Sequence, residues 1–185
     1  MPRKGQTRYS IEGKILTPLT DEDFAEGIEH GKFVRPLHKA YCVLLYYSAV
    51  RKTEGTRPIR DHFQITKDRI FFDVGQRLKH SDKTEAVKIL LESPYADLLK
   101  EAIESTPKGQ RVFPFCAKTA YNIVRRVFKY PHLFRLSRIT NFFAEGYTIA
   151  ELHSWTGLSL SALNYYLGLV STDRMAKSMV KKTEA

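Results

Sequence analysis

The sequence predicts a mostly α-helical domain carrying a small antiparallel β-sheet insert, an α+β chain. Three observations lead there. Helix-capping residues, first-turn prolines and apolar residues at helical spacing recur along most of the chain. One central stretch, 70–91, breaks that pattern with two short runs of aromatic and β-branched residues. The 185 residues, 43% of them hydrophobic, can bury one sizeable core but not two comfortable ones.

Residues 1–16 are polar and basic, contain Gly5 and Gly13 and show no periodicity, so a flexible basic arm is expected there. The folded domain is expected over 17–170. In TPLTDEDFAEGIEHG, Thr20 is a helix N-cap, acidic residues fill the first turn and Gly31 is a stop. PLHKAYCVLLYYSAV, 36–50, has Pro36 at a permitted first-turn position and enough apolar residues for a buried helix running straight into Arg51. Ile70, Phe71, Phe72 and Val74 form one β-like run and 86–91 a second. The polar stretch 76–85 between them predicts a hairpin with a long tip. Residues 95–104 read as a helix and RVFPF as a short extended piece. AKTAYNIVRRVFKY, 117–130, keeps its apolar residues on one face and Lys118, Arg125, Arg126 and Lys129 elsewhere, which predicts a basic amphipathic helix. Helices over 132–145 and 148–154 are separated by Gly146, and a last one covers 159–169. The tail, 171–185, is long enough for a short helix with Met175, Met179 and Val180 partly on one face. There is no internal repeat and no low-complexity tract.

Lys and Arg number 30 against 20 Asp and Glu, a formal net charge of +10. On a folded domain that excess favours a polyanionic partner, with nucleic acid first, an anionic membrane surface second and plain solubility the bland reading. Cys42 and Cys116 are the only cysteines and form no CxxC pair, so neither a disulfide framework nor a zinc site is expected. No apolar run approaches membrane-span length, and the N-terminus lacks the apolar core of a signal peptide. A soluble, cytoplasmic protein is expected. His38, His62 and His80 are scattered, and the acidic residues form no cluster suited to two-metal chemistry. With no GxxxxGK[ST] loop either, no metal, ATP or other cofactor is expected.

Chemistry enters at PHLFRLSRIT, 131–140. His132 and Arg135 are three apart, so on a helix they share a face and can reach one small target. Both donate hydrogen bonds suited to an oxyanion, and arginine does so with a planar fork. The order of the surrounding parts then resembles a known family. LLYYSAVRKTEG, 44–55, resembles the L-L-Y-T-G-L-R-x-S-E box of tyrosine recombinases, the phage integrases and Xer-type resolvases. HLFRLSRIT resembles their H-x-L-R-H-T-x-A-T box, and TIAELHSWTGLSLSALNYYLGL, 148–169, their closing segment. The β insert resembles the family's β-hairpin. Four boxes in the family's order span roughly 17–170.

The resemblance implies the tyrosine recombinase catalytic-domain fold, and a site-specific recombinase or integrase that cleaves and rejoins double-stranded DNA. Arg51, His132 and Arg135 fall on the catalytic positions and Glu54 on the supporting acid. Lys79 falls on the mobile hairpin lysine, with Lys83 the alternative. Tyr166 falls on the nucleophile, with Tyr165 beside it as the alternative. Lys118, Arg125 and Arg126 of the basic helix are the expected DNA contacts, and a tetramer on DNA is the assembly that the resemblance implies. Two arginines and a histidine would stabilise charge developing on a scissile phosphate without a metal. A tyrosine, with an ordinary pKa of about 10, would form a covalent 3′-phosphotyrosine that splits one hard step into two.

Several positions depart from the family pattern. The glycine of the first box is Ala49, expected as a packing change, and the residue after Arg135 is Leu136 instead of His. The family's G-H near the end reads Trp155-Thr156-Gly157-Leu158 here. Matching Gly157 to the glycine puts apolar Leu158 on the histidine. Matching Trp155 instead supplies an indole N–H donor, and that alignment is preferred. Taken singly, each residue has a bland role: Arg51 as a C-terminal cap, Arg135 as a solvated charge, Trp155 and the tyrosines as packing groups. Two further functions compete, a non-catalytic DNA-binding module that retains the fold and a type IB topoisomerase-like enzyme.

Overall fold

The first described helix is built as its sequence asks. A computed structural model describes residues 18–73, 86–156 and 158–167. The arm (1–16), the tail (171–185), Val74, Lys79, Lys83 and Gly157 lie outside those residues. Helix α1 (Asp21–His30) starts in a reciprocal capping box. Thr20 Oγ1 accepts from the Asp23 N–H (3.1 Å) while Asp23 Oδ2 accepts from the Thr20 N–H (2.8 Å). Helix α2 (Pro36–Ser48) has Pro36 in its first turn, and every residue from Ala40 to Ser48 is buried. A helix apolar all round belongs in the centre of a core. Phe24 of α1 stacks on Tyr46 of α2 with ring centroids 3.9 Å apart.

The chain then makes a 3₁₀ turn at Arg60–His62 and enters a three-stranded antiparallel sheet, ordered β1 (Phe63–Ile65), β2 (Arg69–Asp73), β3 (Ala86–Leu90). The β2–β3 hairpin follows the expected runs. Strand β1 was not anticipated: three residues are too few for an alternation to stand out. Phe63 pairs with Phe72 and Ile70 with Ile89. These four side chains are buried on the sheet face that packs into the core. Arg111 of the expected RVFPF segment pairs with Ile59 as an isolated bridge.

Helices α3 (Ala96–Glu104), α4 (Ala117–Phe128), α5 (Pro131–Ala144), α6 (Ile149–Thr156) and α7 (Leu160–Leu167) complete the order. Among the described residues, two apolar clusters hold it together. The larger centres on α2 with Phe24, Phe113, Ile123, Val124 and Phe134. The smaller joins Leu133, Leu136 and Ile139 of α5 to Leu152, Leu158, Leu163, Tyr166 and Leu167. Helix α5 belongs to both, through Phe134 on one side and Leu133 and Leu136 on the other. A residue between those faces is buried whatever its chemistry, and Arg135 occupies that position.

Candidate active site

The site begins where α2 stops. Ala49 ends the helix in the left-handed conformation (φ 52°, ψ 21°), a backbone that a Cβ disfavours and glycine accepts freely. The expectation of a mere packing change at Ala49 is therefore corrected: the position is special for its backbone. The turned chain leads into a tight turn, in which Gly55 N–H donates to Arg51 O (3.0 Å) and Arg57 N–H to Glu54 O (3.2 Å). Gly55 is needed for close approach, since a Cβ there would stand 2.8 Å from Leu45 Cδ2. Behind it the Tyr41 hydroxyl donates to Lys52 O at 2.5 Å.

This turn drives the Glu54 carboxylate inward, where the residue is 2% exposed. Its Oε2 accepts from the Arg51 N–H and its Oε1 from Arg51 Nη1, both at 2.6 Å. The second arginine arrives from α5: Arg135 Nη2 donates to Glu54 Oε2 at 3.2 Å, across 81 residues of sequence. Arg135 Nε donates to Ala49 O at 2.5 Å, so the left-handed turn also aims a carbonyl at the guanidinium. Tyr166 of α7 lies beside Arg135, close enough to act on its charge. Helix α2, the 51–56 turn, α5 and α7 thus meet at one arginine.

The electrostatics follow from this geometry. Burial pushes the Glu54 carboxyl up, but the Arg135 charge, the Arg51 hydrogen bonds and the Arg51 charge together hold it below its ordinary value. Burial works against the Arg135 charge, and Tyr166 and Glu54 support it; an arginine keeps its proton in such surroundings. His132 stands at the head of α5 and is accessible to solvent, yet its neighbourhood is dense. Desolvation, then the charges of Arg135, Arg51 and Lys52, push its pKa down, with Glu54 opposing. The free site therefore favours a neutral imidazole beside concentrated positive charge.

Arg51, Glu54, His132, Arg135 and Tyr166, the positions to which the resemblance points, lie together in the fold. Tyr165, half-buried, lies beside Tyr166 with ring centroids 6.0 Å apart. Trp155 packs on Phe142 at 4.1 Å between ring centroids, and the Arg138 guanidinium lies 6.0 Å from the Trp155 ring. Leu158 is buried with Leu163, Tyr166 and Leu167, and its carbonyl is 2.5 Å from His153 Nδ1. Lys118, Arg125 and Arg126 are exposed along α4. Lys79 and Lys83 lie in the undescribed stretch, 74–85.

One residue with a part in this geometry, Lys52, escaped the sequence reading. Lys52, next to Arg51, reaches α4, with Nζ 3.4 Å from Ala117 O; its adjacency to Arg51 was the available signal. Arg138, one turn beyond Arg135, lies 3.9 Å over Phe142 and 5.0 Å over Tyr47 and pairs with Asp21 at 3.3 Å. Among the described residues no group of three or more His, Cys, Asp or Glu could hold a metal ion. No described helix is long and apolar enough to cross a membrane.

No sequence-family model matches the chain, and no curated protein does. Solved structures do. XerA recombinase superposes with a TM-score of 0.70 at 16% identity, over 92% of this chain and 67% of that one. XerH site-specific recombinase, bound to its difH substrate in a pre-cleavage complex, gives 0.65 at 19% identity over 83% of this chain. The chain spans about half of XerH, 50% of its length. The catalytic domain of bacteriophage HP1 integrase gives 0.57 at 15% identity, over 90% of this chain and 94% of that domain. The chain has the tyrosine recombinase catalytic-domain fold.

Proposed function

We propose that this chain is a site-specific DNA recombinase or integrase, which cuts and rejoins double-stranded DNA through a covalent 3′-phosphotyrosine on Tyr166. The observation that carries the reading is that Arg51 and Arg135 share one buried carboxylate while Tyr166 lies beside Arg135. A purely structural arginine pair needs no tyrosine hydroxyl at its edge.

Glu54 orients both guanidinium groups, so their donors are preorganised for an anion before it arrives. The scissile phosphate sits against Arg51, Arg135 and His132, whose hydrogen bonds strengthen as charge builds on the non-bridging oxygens. Tyr166 Oη attacks phosphorus in line while the bond to the 5′-oxygen breaks. The phenol proton passes to solvent as the new bond to phosphorus forms. Lys79, or alternatively Lys83, protonates the departing 5′-oxygen, and the Trp155 indole donates to a non-bridging oxygen. Attack of a second strand's 5′-hydroxyl on the phosphotyrosine runs the same step in reverse and restores the free tyrosine. No cofactor is consumed, because the bond energy is kept in the protein–DNA ester. Lys118, Arg125 and Arg126 hold flanking phosphates, and exchange between two duplexes takes place in a tetramer.

One observation favours a second reading, a DNA-binding module without cleavage. If Gly157 matches the family's glycine, Leu158, packed beside Tyr166, stands in the histidine's place and offers no donor. One experiment separates the two. The chain is incubated with nicked suicide duplexes drawn from its native genetic neighbourhood, with and without EDTA, and products are run on a denaturing gel. A covalent band that survives EDTA, persists in Tyr165→Phe and is lost in Tyr166→Phe is the expected result. Binding without any adduct would establish the non-catalytic reading.

A further inference from the structure

We propose that Lys52 and the first turn of α4 form a second phosphate-binding position, gripping the DNA backbone next to the phosphate held by Arg51, Arg135 and His132. The inference rests on the DNA reading above for its ligand.

Lys52 stands on a rigid base. Its carbonyl accepts the hydroxyl of buried Tyr41 at 2.5 Å, and the turn that carries it is closed by backbone bonds and the Glu54 carboxylate. From there the half-buried side chain crosses to α4. Its Nζ lies 3.4 Å from Ala117 O and 6.0 Å from the Tyr121 ring centroid. Both contacts are long, and an ammonium has three donors to place. Among the described residues Lys52 belongs to no ion pair. Both oxygens of the carboxylate beside it, Glu54, are taken up by the two arginines.

Lys52 is nonetheless close enough to the site to depress the His132 pKa together with Arg135 and Arg51. Four basic groups therefore converge where, among the described residues, one carboxylate is available. One phosphate satisfies Arg51, Arg135 and His132. The Lys52 ammonium, turned toward α4 and exposed Lys118, is placed for the next phosphate along the strand. A lysine serves this purpose as a point charge on a flexible stem, with no demand for the bidentate geometry of an arginine. The effect is register: the strand is held at two consecutive points, so the scissile phosphorus cannot slide past Tyr166.

The test uses the full chain and a labelled duplex, comparing wild type with Lys52→Met and with a control, Lys67→Met, at an exposed residue of the β1–β2 turn. Lys52→Met is expected to weaken binding about tenfold, as loss of a charged hydrogen bond does, and to reduce the salt slope by about one. Lys67→Met is expected to change neither. In duplexes carrying a single neutral methylphosphonate, wild type should lose affinity at one position next to the scissile phosphate, where Lys52→Met loses nothing further. An unchanged salt slope in Lys52→Met, with a lowered melting temperature, would show that the lysine only staples the turn to α4 and overturns the proposal. Tyr166→Phe should keep the full Lys52 effect. A wild type that forms no adduct therefore sinks the recombinase reading alone, and an unaltered slope sinks the Lys52 contact alone.

Discussion

Removing the Glu54 carboxylate strands Arg135 in the interior, where the side chains of the pair expose 2% and 4% of their surface. Breaking a buried ion pair from one side costs about 3–5 kcal/mol. Glu54→Ala is expected to lose that much in urea unfolding, while Arg51→Ala, whose partner arginine keeps the carboxylate occupied, loses far less. The same residues set an acid limit. The Glu54 pKa is lower in the folded chain, so its contribution is complete above the unfolded value of about 4.3. That contribution disappears as pH falls through the lower folded value. The His132 pKa is lowered too, so below about pH 6.5 the unfolded chain takes up the proton first and stability declines. His132→Gln is expected to flatten the urea midpoint between pH 7 and the onset of carboxylate titration (about pH 5). A decline as steep as wild type would place its origin elsewhere. A bound phosphate favours the protonated ring, so DNA affinity should rise on acidification in wild type and stay level in His132→Gln. The types and spacing of Arg51, His132 and Arg135 were readable in sequence. The inward course of Arg135 was not, because an arginine three residues from a histidine looks the same whether it is solvated or buried.

Element boundaries were most legible where local chemistry decides them. Thr20 with Asp23, Pro36 and Pro131 mark helix starts through caps and fixed backbone angles, and α1, α2 and α5 begin beside them. What local chemistry conceals is a residue forced against its preference. Ala49 and Lys129 both have positive φ without being glycine. At Lys129 (φ 63°, ψ −56°) the Tyr130 N–H donates to Phe128 O at 2.7 Å, a strained γ-turn that tips the chain from α4 into α5. Ala49→Gly is expected to stabilise the chain by about 1 kcal/mol through relief of its left-handed backbone. Urea titration checks this, and a loss of stability would mean that the alanine methyl is needed for packing. Strand β1 was hidden for another reason: its pairing with β2 supplies the order that three residues cannot specify for themselves.

Across the whole molecule, a net charge of +10 and the exposed basic residues of α4 predict DNA binding dominated by phosphate contacts. Log affinity should fall linearly with log salt, and replacing Lys118, Arg125 and Arg126 together with Ala should reduce the slope by about two to three. A slope insensitive to all three would move the DNA path off α4. The sequence by itself determined the order of the helices and the place of the β2–β3 hairpin among them, the basic surface, and which residues share a helical face. Periodicity, caps and charge act within a few residues and survive in any context. Only the tertiary structure decided that Arg51 and Arg135 share Glu54, that Tyr166 reaches Arg135, that Leu158 lines the core beside it and that Lys52 crosses to α4. Those contacts join segments far apart in the chain, and what selects them is how α2, α5 and α7 fill one interior.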